Sequence, residues 1–183
     1  LLCDMGADVI KIEAFGGDAW RGTSNFFIGR GDEESPVYDS LNWGKQSICL
    51  DLKDPKGKEI LMRMLEDADI FLTNTRVKSL IKLGLDGETL MKKFPRLIYA
   101  CLDGYGTMGP EADTPGFDGQ AFWTRSGYLL DMSEEDAGYP DFSPSSVGDC
   151  VTGGFLMAGI MTALYNREKT GHGDIVHTSL YGS

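Results

Sequence analysis

Residues 47–73 read SICLDLKDPKGKEILMRMLEDADIFLT, and this stretch decides the fold class. Ser47-Ile48-Cys49-Leu50-Asp51-Leu52 is a short apolar run of strand character, and Ile70-Phe71-Leu72-Thr73 is another. Between them Asp54 stands as an N-cap and Pro55 takes the first helical position. The following Ile60, Leu61, Met64, Leu65 and Ala68 fall on one apolar stripe at helical spacing. Strand, helix and strand in succession are the repeating unit of an α/β protein with a largely parallel sheet.

The pattern continues in both directions. Ala7–Glu13, Leu97–Leu102 and Ile175–Leu180 read as further strands, and Val77–Leu83, Glu88–Phe94 (stopped by Pro95) and Gly119–Leu130 as helices. A longer helix is expected from Val151 to about Lys169, apolar on most faces and opened by Gly154, Ala158 and Gly159, so it should be buried and closely packed. Arg167 and Lys169 suit its C-terminus, and Gly171 stops it. Two stretches lack periodicity, Gly16–Gly44 and Gly104–Asp118. Long loops in a compact α/β domain are more often functional than idle.

A length of 183 residues fits a single α/β domain over 1–183, or one large piece of a bigger protein. Leu1–Gly6 reads like the tail of a helix, and the last strand stops just before the end, so a fragment is expected. Seventeen basic against 28 acidic side chains give a net charge of −11, which argues against nucleic-acid or anionic lipid partners. Cys3, Cys49, Cys101 and Cys150 are far apart with no CxxC pair, the pattern of reduced thiols in a cytoplasmic protein. The apolar stretch Val151–Tyr165 falls short of the roughly 20 residues a membrane helix needs, so no membrane span is expected.

Several motifs invite chemistry. Gly104-Tyr105-Gly106-Thr107-Met108-Gly109 is a GxGxxG after a strand, but Pro110, Pro115 and Gly116 follow where a dinucleotide site needs a helix. No NAD is therefore expected. A nicotinamide dehydrogenase remains the weaker reading. His172 and His177 have no cysteine or HExxH frame near them, so no metal is expected either. Nothing ties either histidine to Cys150, which reads as a small buried hydrophobe. Asp149, in Gly148-Asp149-Cys150-Val151-Thr152-Gly153-Gly154, has two readings. It is an N-cap accepting the Thr152 N–H, or a carboxylate held ionised by helix N–H groups and able to attack an acyl group.

Several stretches taken together resemble the family III CoA-transferases over nearly the whole chain. They are Gly6–Glu13, Asp18–Gly22 with its Arg21, Asn42–Ile48, Leu50-Asp51-Leu52-Lys53, Asn74, Leu80–Gly84, Pro95–Tyr99, Gly104–Pro110, Pro115–Asp118, Gly148-Asp149 and Arg167–Gly173. The resemblance implies a Rossmann-like open, largely parallel sheet with flanking helices, the N-terminal part of that family's large domain. It implies transfer of coenzyme A from an acyl-CoA to a carboxylic acid acceptor, with coenzyme A as substrate and no metal, in an interlocked homodimer. Asp149 matches the nucleophile, which would pass through an acyl anhydride and an aspartyl-CoA thioester while glycine-loop amides stabilise the oxyanions. Asp118 matches an acidic position beside the reacting acyl group, or simply caps the helix from Gly119. Coenzyme A contacts would fall near Leu50, Lys53, Asn74, Lys82 and Leu83, the two lysines meeting phosphates unless they are merely solvated.

The segment Phe117–Gly127 resembles the branch acting on 2-hydroxy acids, such as aryl-lactates, and on carnitine-type acids. Phe122 and Trp123 either line an acyl pocket there or belong to the core. Acyl-CoA racemases share the fold but carry a histidine base where this chain has Phe117, which ranks a racemase below a transferase. A non-catalytic CoA-binding fragment of such an enzyme is the other alternative.

Overall fold

The computed structural model describes residues 1–22, 35–133 and 146–183. The chain is α/β and divides into two compact units, Leu1–Met64 and Leu65–Ser183, each with its own parallel sheet.

In the first unit β1 (Ile10–Glu13) and β2 (Gln46–Cys49) pair in parallel, with Ile12 opposite Ile48. The expected helical tail before β1 is a 3-10 turn, Cys3–Met5. Helix α1 (Pro36–Asn42) lies in the stretch that lacks periodicity. It is too short to show a repeat, and it is set by chemistry at its start, where Ser35 Oγ accepts the Tyr38 N–H at 3.2 Å and Pro36 fills the first turn. Helix α2 (Pro55–Met64) opens as the sequence implies. Asp54 Oδ1 accepts the Lys56 N–H at 2.7 Å, and the Asp54 carbonyl accepts the Lys58 N–H at 3.0 Å. The helix ends at Met64, so Leu65 and Ala68 of the apolar stripe fall beyond it.

In the second unit β3 (Ile70–Thr73), β4 (Ile98–Asp103) and β5 (Ile175–Ser179) form a parallel sheet in the order β3-β4-β5. The middle strand is the most buried. Ile98, Tyr99 and Ala100 are in the core, which explains its unbroken apolar run. Helices α3 (Val77–Leu83) and α4 (Gly87–Lys93) join β3 to β4, with Leu80 and Leu90 buried and Asp86 Oδ1 capping α4 through the Thr89 N–H at 3.0 Å.

Two helices differ from expectation. In place of one helix over 119–130 there is a π-helix, Asp118–Thr124, followed by α5 (Tyr128–Asp131). The break is Gly127, whose φ of +93° is left-handed. The long helix α6 runs from Val147 to Thr170 and packs on β4, β5 and the π-helix. Its buried residues, Gly148, Thr152, Leu156, Ile160, Ala163 and Arg167, recur every three or four positions. Only one face is therefore covered, and Val151, Phe155 and Tyr165 are exposed. α6 has 24 residues, and its most apolar stretch of 18 has a mean hydropathy of 1.5, so it is long and apolar enough to cross a membrane, although core helices of soluble proteins meet the same measure. At its far end the Arg167 guanidinium reaches Asp69 Oδ1 (2.7 Å), the Asp69 carbonyl (3.4 Å) and the Arg96 carbonyl (3.2 Å), fastening the approaches to β3 and β4.

Candidate functional site

Asp149 and Asp118 are 31 residues apart in sequence, and the second unit brings them together. Asp118 opens the π-helix, and its Oδ1 accepts the Asp149 backbone N–H at 2.8 Å. This reverses both local capping readings. Ser146 takes the N-cap position of α6, with φ +65°, and Asp149 stands in the first turn rather than at the cap. Asp118 satisfies a donor of α6 rather than of its own helix, whose start has no side-chain cap. The approach is close because residue 148 is glycine. A Cβ there would lie 2.3 Å from Phe122 Cγ and 2.6 Å from Asp118 Oδ1, so any side chain would force the two helices apart. The π-helix, a rare conformation found often at functional positions, is the element that presses Phe122 into this gap.

The electrostatics also differ from the sequence reading. An aspartate in the first turn of a helix gains from the dipole, and Ser146 donates a hydrogen bond to its carboxyl. Asp149 is an exposed residue, yet desolvation of its carboxyl by the surrounding chain and then the charge of Asp118 prevail, and its pKa is raised above the usual aspartate value. The hydrogen bond that lowers the value comes from Ser146 and not from a helix N–H group. Its neighbour Cys150 is exposed, not the buried hydrophobe expected, because it falls on the uncovered face of α6. All four cysteines are free.

The glycine-rich turn after β4 is a connection, not the start of a helix. Gly106 and Gly109 have φ of +91° and +89°, and the next helical element begins only at Asp118. Gly104 packs on Gly116, where an added Cβ would lie 2.7 Å from the Gly116 Cα. Two ion pairs, Arg125–Glu111 at 2.8 Å and Lys78–Asp113 at 2.6 Å, steady the loop beyond. Of the glycine-loop amides expected to stabilise oxyanions, that of Gly106 is already given to Asp103 Oδ1 at 2.6 Å. Phe122 and Trp123 are buried with Ala121 and Leu180, edge-to-face at 5.5 Å, so they belong to the core. The exposed aromatic next to Asp118 is Phe117.

Of the other expected residues, Leu50 and Asn74 directly follow parallel strands, Lys53 lies in the turn after Leu50, and Lys82 and Leu83 end helix α3. In the first unit Leu50 follows β2. Its side chain is buried and its N–H is bonded to the Glu13 carbonyl at 2.9 Å. Lys53 is exposed in a turn held by Asp51 Oδ1, which accepts the Lys53 N–H at 2.9 Å. In the second unit Asn74 follows β3 and is exposed, Lys82 is exposed on α3, and Leu83 beside it is half-buried. Neither Lys53 nor Lys82 has an ion-pair partner within 4.0 Å among the described residues. Among the described residues no group of three or more histidine, cysteine, aspartate or glutamate side chains is arranged to hold a metal ion.

Two polar constellations have no counterpart in the sequence reading. In the first unit the buried Glu13 carboxylate accepts from Arg21 Nε (2.8 Å), Arg21 Nη2 (2.9 Å), the Tyr38 hydroxyl (2.7 Å) and the Asp18 N–H (2.9 Å). Arg21 also lies over the Tyr38 ring, 4.0 Å from its centroid, and Lys11 pairs with Asp18. The Arg21 side chain bonds nearest drive the Glu13 pKa down, against the effect of burial and helped by Tyr38, to about 2. In the second unit His177 Nε2 lies 2.7 Å from Asp103 Oδ2. Neither is visible in a periodic pattern, since each joins residues from separate strands, loops or helices.

Known proteins supply the context for this geometry. The chain is 46% identical over 186 residues to cinnamoyl-CoA:phenyllactate CoA-transferase of Clostridium sporogenes, covering 98% of this chain and 45% of that protein. It is 37% identical over 188 residues to (R)-2-hydroxy-4-methylpentanoate CoA-transferase of Clostridioides difficile, covering 100% of this chain and 47% of that one. Among solved structures, a CAIB/BAIF family protein from Brucella suis superposes with a TM-score of 0.87 at 35% identity, over 98% of this chain and 47% of its own. The chain thus spans about half the length of the curated relatives it matches. The family model described as CoA-transferase family III matches residues 1–183, and the chain belongs to that family.

Proposed function

We propose that this chain carries the nucleophile of an enzyme that moves coenzyme A from an acyl-CoA to a free carboxylic acid, and that the nucleophile is Asp149. The observation that supports this most is the Asp118–Asp149 contact. It fixes the start of α6 through the backbone and leaves the Asp149 carboxyl partly desolvated beside a second carboxylate. A carboxylate made more basic in this way is the stronger nucleophile once ionised.

The reaction then runs in balanced steps. An Asp149 oxygen bonds to the thioester carbonyl carbon and the C–S bond breaks, giving a mixed anhydride and the CoA thiolate. The thiolate attacks the Asp149 carbonyl carbon of the anhydride, releases the donor acid as a carboxylate and leaves an aspartyl-CoA thioester. The acceptor carboxylate attacks that thioester, again expelling thiolate, and the thiolate takes the acceptor's acyl carbon and frees Asp149. The thioester's free energy is passed on, and water must be kept from the anhydride.

By the family resemblance Lys53 and Lys82, both exposed, would each meet a coenzyme A phosphate, with Leu50, Asn74 and Leu83 as further contacts. The acceptor class best supported is a 2-hydroxy acid, from the two relatives named for phenyllactate and 2-hydroxy-4-methylpentanoate. An aryl group would meet the exposed Phe117. Because that position carries no base, proton abstraction by a racemase has no support there. A homodimer in the cytoplasm belongs to the same proposal.

Incubation with cinnamoyl-CoA and other acyl-CoAs, followed by intact-mass and peptide analysis, tests the reading. A hydroxylamine-sensitive acyl or CoA adduct on Asp149 is expected. Labelling elsewhere, or none with any donor, overturns it.

A further inference from the structure

One polar pair in the second unit takes no part in the chemistry above. His177 in β5 and Asp103 at the end of β4 lie on the same face of adjacent parallel strands, since Cys101 stands opposite His177 and Asp103 opposite Ser179. Their side chains meet on the diagonal at 2.7 Å, both partly buried. The other Asp103 oxygen accepts the Gly106 N–H at 2.6 Å, so one carboxylate is held at both oxygens, by a strand neighbour and by the glycine-rich turn.

That turn leads to the reacting groups. Its Gly104 carbonyl accepts the Tyr181 N–H at 2.9 Å, and Gly104 itself packs against the Gly116 backbone. Gly116 stands two residues before Asp118, whose Oδ1 holds the Asp149 N–H. No side chain fits between Gly104 and Gly116, so the segment leading to Asp118 is seated directly on the turn.

We propose that His177 is a positioning residue for Asp149. By fixing Asp103 it fixes the Gly106 turn, and through the Gly104–Gly116 contact it sets where Asp118 meets the start of α6. With His177 removed, Asp103 keeps one anchor and its carboxylate is free to turn toward water. The role of His177 in the reaction rests on the proposed acylation of Asp149, whereas its hold on the turn can be measured without any reaction.

The test compares His177→Asn, which is polar but too short to reach Asp103, with His177→Gln, whose amide nitrogen reaches about as far as Nε2. Amide hydrogen exchange at Gly106 and Asp149 and the single-turnover rate of Asp149 acylation are measured in both variants and in the unaltered protein. In His177→Asn, exchange at both amides should rise about tenfold, as expected for the loss of about one hydrogen bond. Acylation should slow about tenfold to a hundredfold with little change in the acyl-CoA concentration giving half the maximal rate. His177→Gln should recover most of each loss. Unchanged exchange at Gly106, or a Gln variant no better than Asn, overturns the proposal. Slower acylation with unchanged exchange also overturns it. If the unaltered protein is never acylated, the functional reading fails, and the exchange pattern alone still decides whether His177 holds the turn.

Discussion

Two carboxylates in this chain, the buried Glu13 and the exposed Asp149, have opposite surroundings. Glu13 in the first unit is met by donors on every side, and its pKa falls to about 2. Asp149 in the second unit gives its backbone N–H to another carboxylate, lies partly desolvated beside it, and is raised. A carboxylate surrounded by cations and hydroxyls is a fastener, since its charge is fully used in holding the chain. One raised by burial and a like charge is a poor fastener and a reactive group.

Four changes probe that contrast. The largest effect is expected from Asp149→Asn, which should lower acylation by about a thousandfold or more, measured by adduct formation. Stability should not suffer. A carboxyl whose folded pKa is raised stabilises the fold only while protonated, and that contribution is lost as the pH rises through the folded value. At neutral pH the Asn variant should therefore melt no lower than the parent. A clear loss of melting temperature would make Asp149 a fastener after all. Gly148→Ala comes next, with a cost of about 1–3 kcal/mol in urea unfolding, because its Cβ would collide with Phe122 and Asp118.

Glu13→Gln should cost about 2 kcal/mol by the same measurement, through lost hydrogen bonds to a charged group. Its pH signature is distinct. The stabilisation from Glu13 is complete above its ordinary value of 4.5 and disappears as the pH falls through about 2, so the variant should lose the acid-unfolding dependence in that window. The smallest and most discriminating change is Asp118→Asn, which keeps an oxygen for the Asp149 N–H and removes the charge. The acid limb of the acylation rate should move to lower pH as Asp149 becomes easier to ionise. A limb that moves up, or stays, would assign the raised value to burial alone.

Much of the fold was legible in the sequence, and particular residues show why. Ile70–Thr73 and Val77–Leu83 appear at the bounds read from the apolar pattern, and Asp54-Pro55 opens its helix, because those signals are local. The helix at Pro36–Asn42 left no periodic trace in seven residues, although Ser35-Pro36 is a cap and first-turn pair. The π-helix at Asp118–Thr124 has no period that a 3.6-residue template detects. Both carboxylates of the candidate site were legible as residues, but not their relation. Asp118 holding Asp149 is a tertiary contact, and nothing in either local segment announces it. The same is true of Glu13 with Arg21 and of His177 with Asp103.

Arg167 lies at the opposite end of α6 from Asp149, and its contacts reach back 98 residues to Asp69 and 71 to Arg96. Contacts of such span close late, because the entropy of ordering the intervening chain must be met first. Interactions formed after the rate-limiting step of folding govern how fast native structure is lost, not how fast it is gained. The end of the helix remote from the aspartate is thereby expected to act as a clock, which Arg167→Ala tests by speeding unfolding more than it slows folding. It sets how long, once assembled, the scaffold around Asp149 endures.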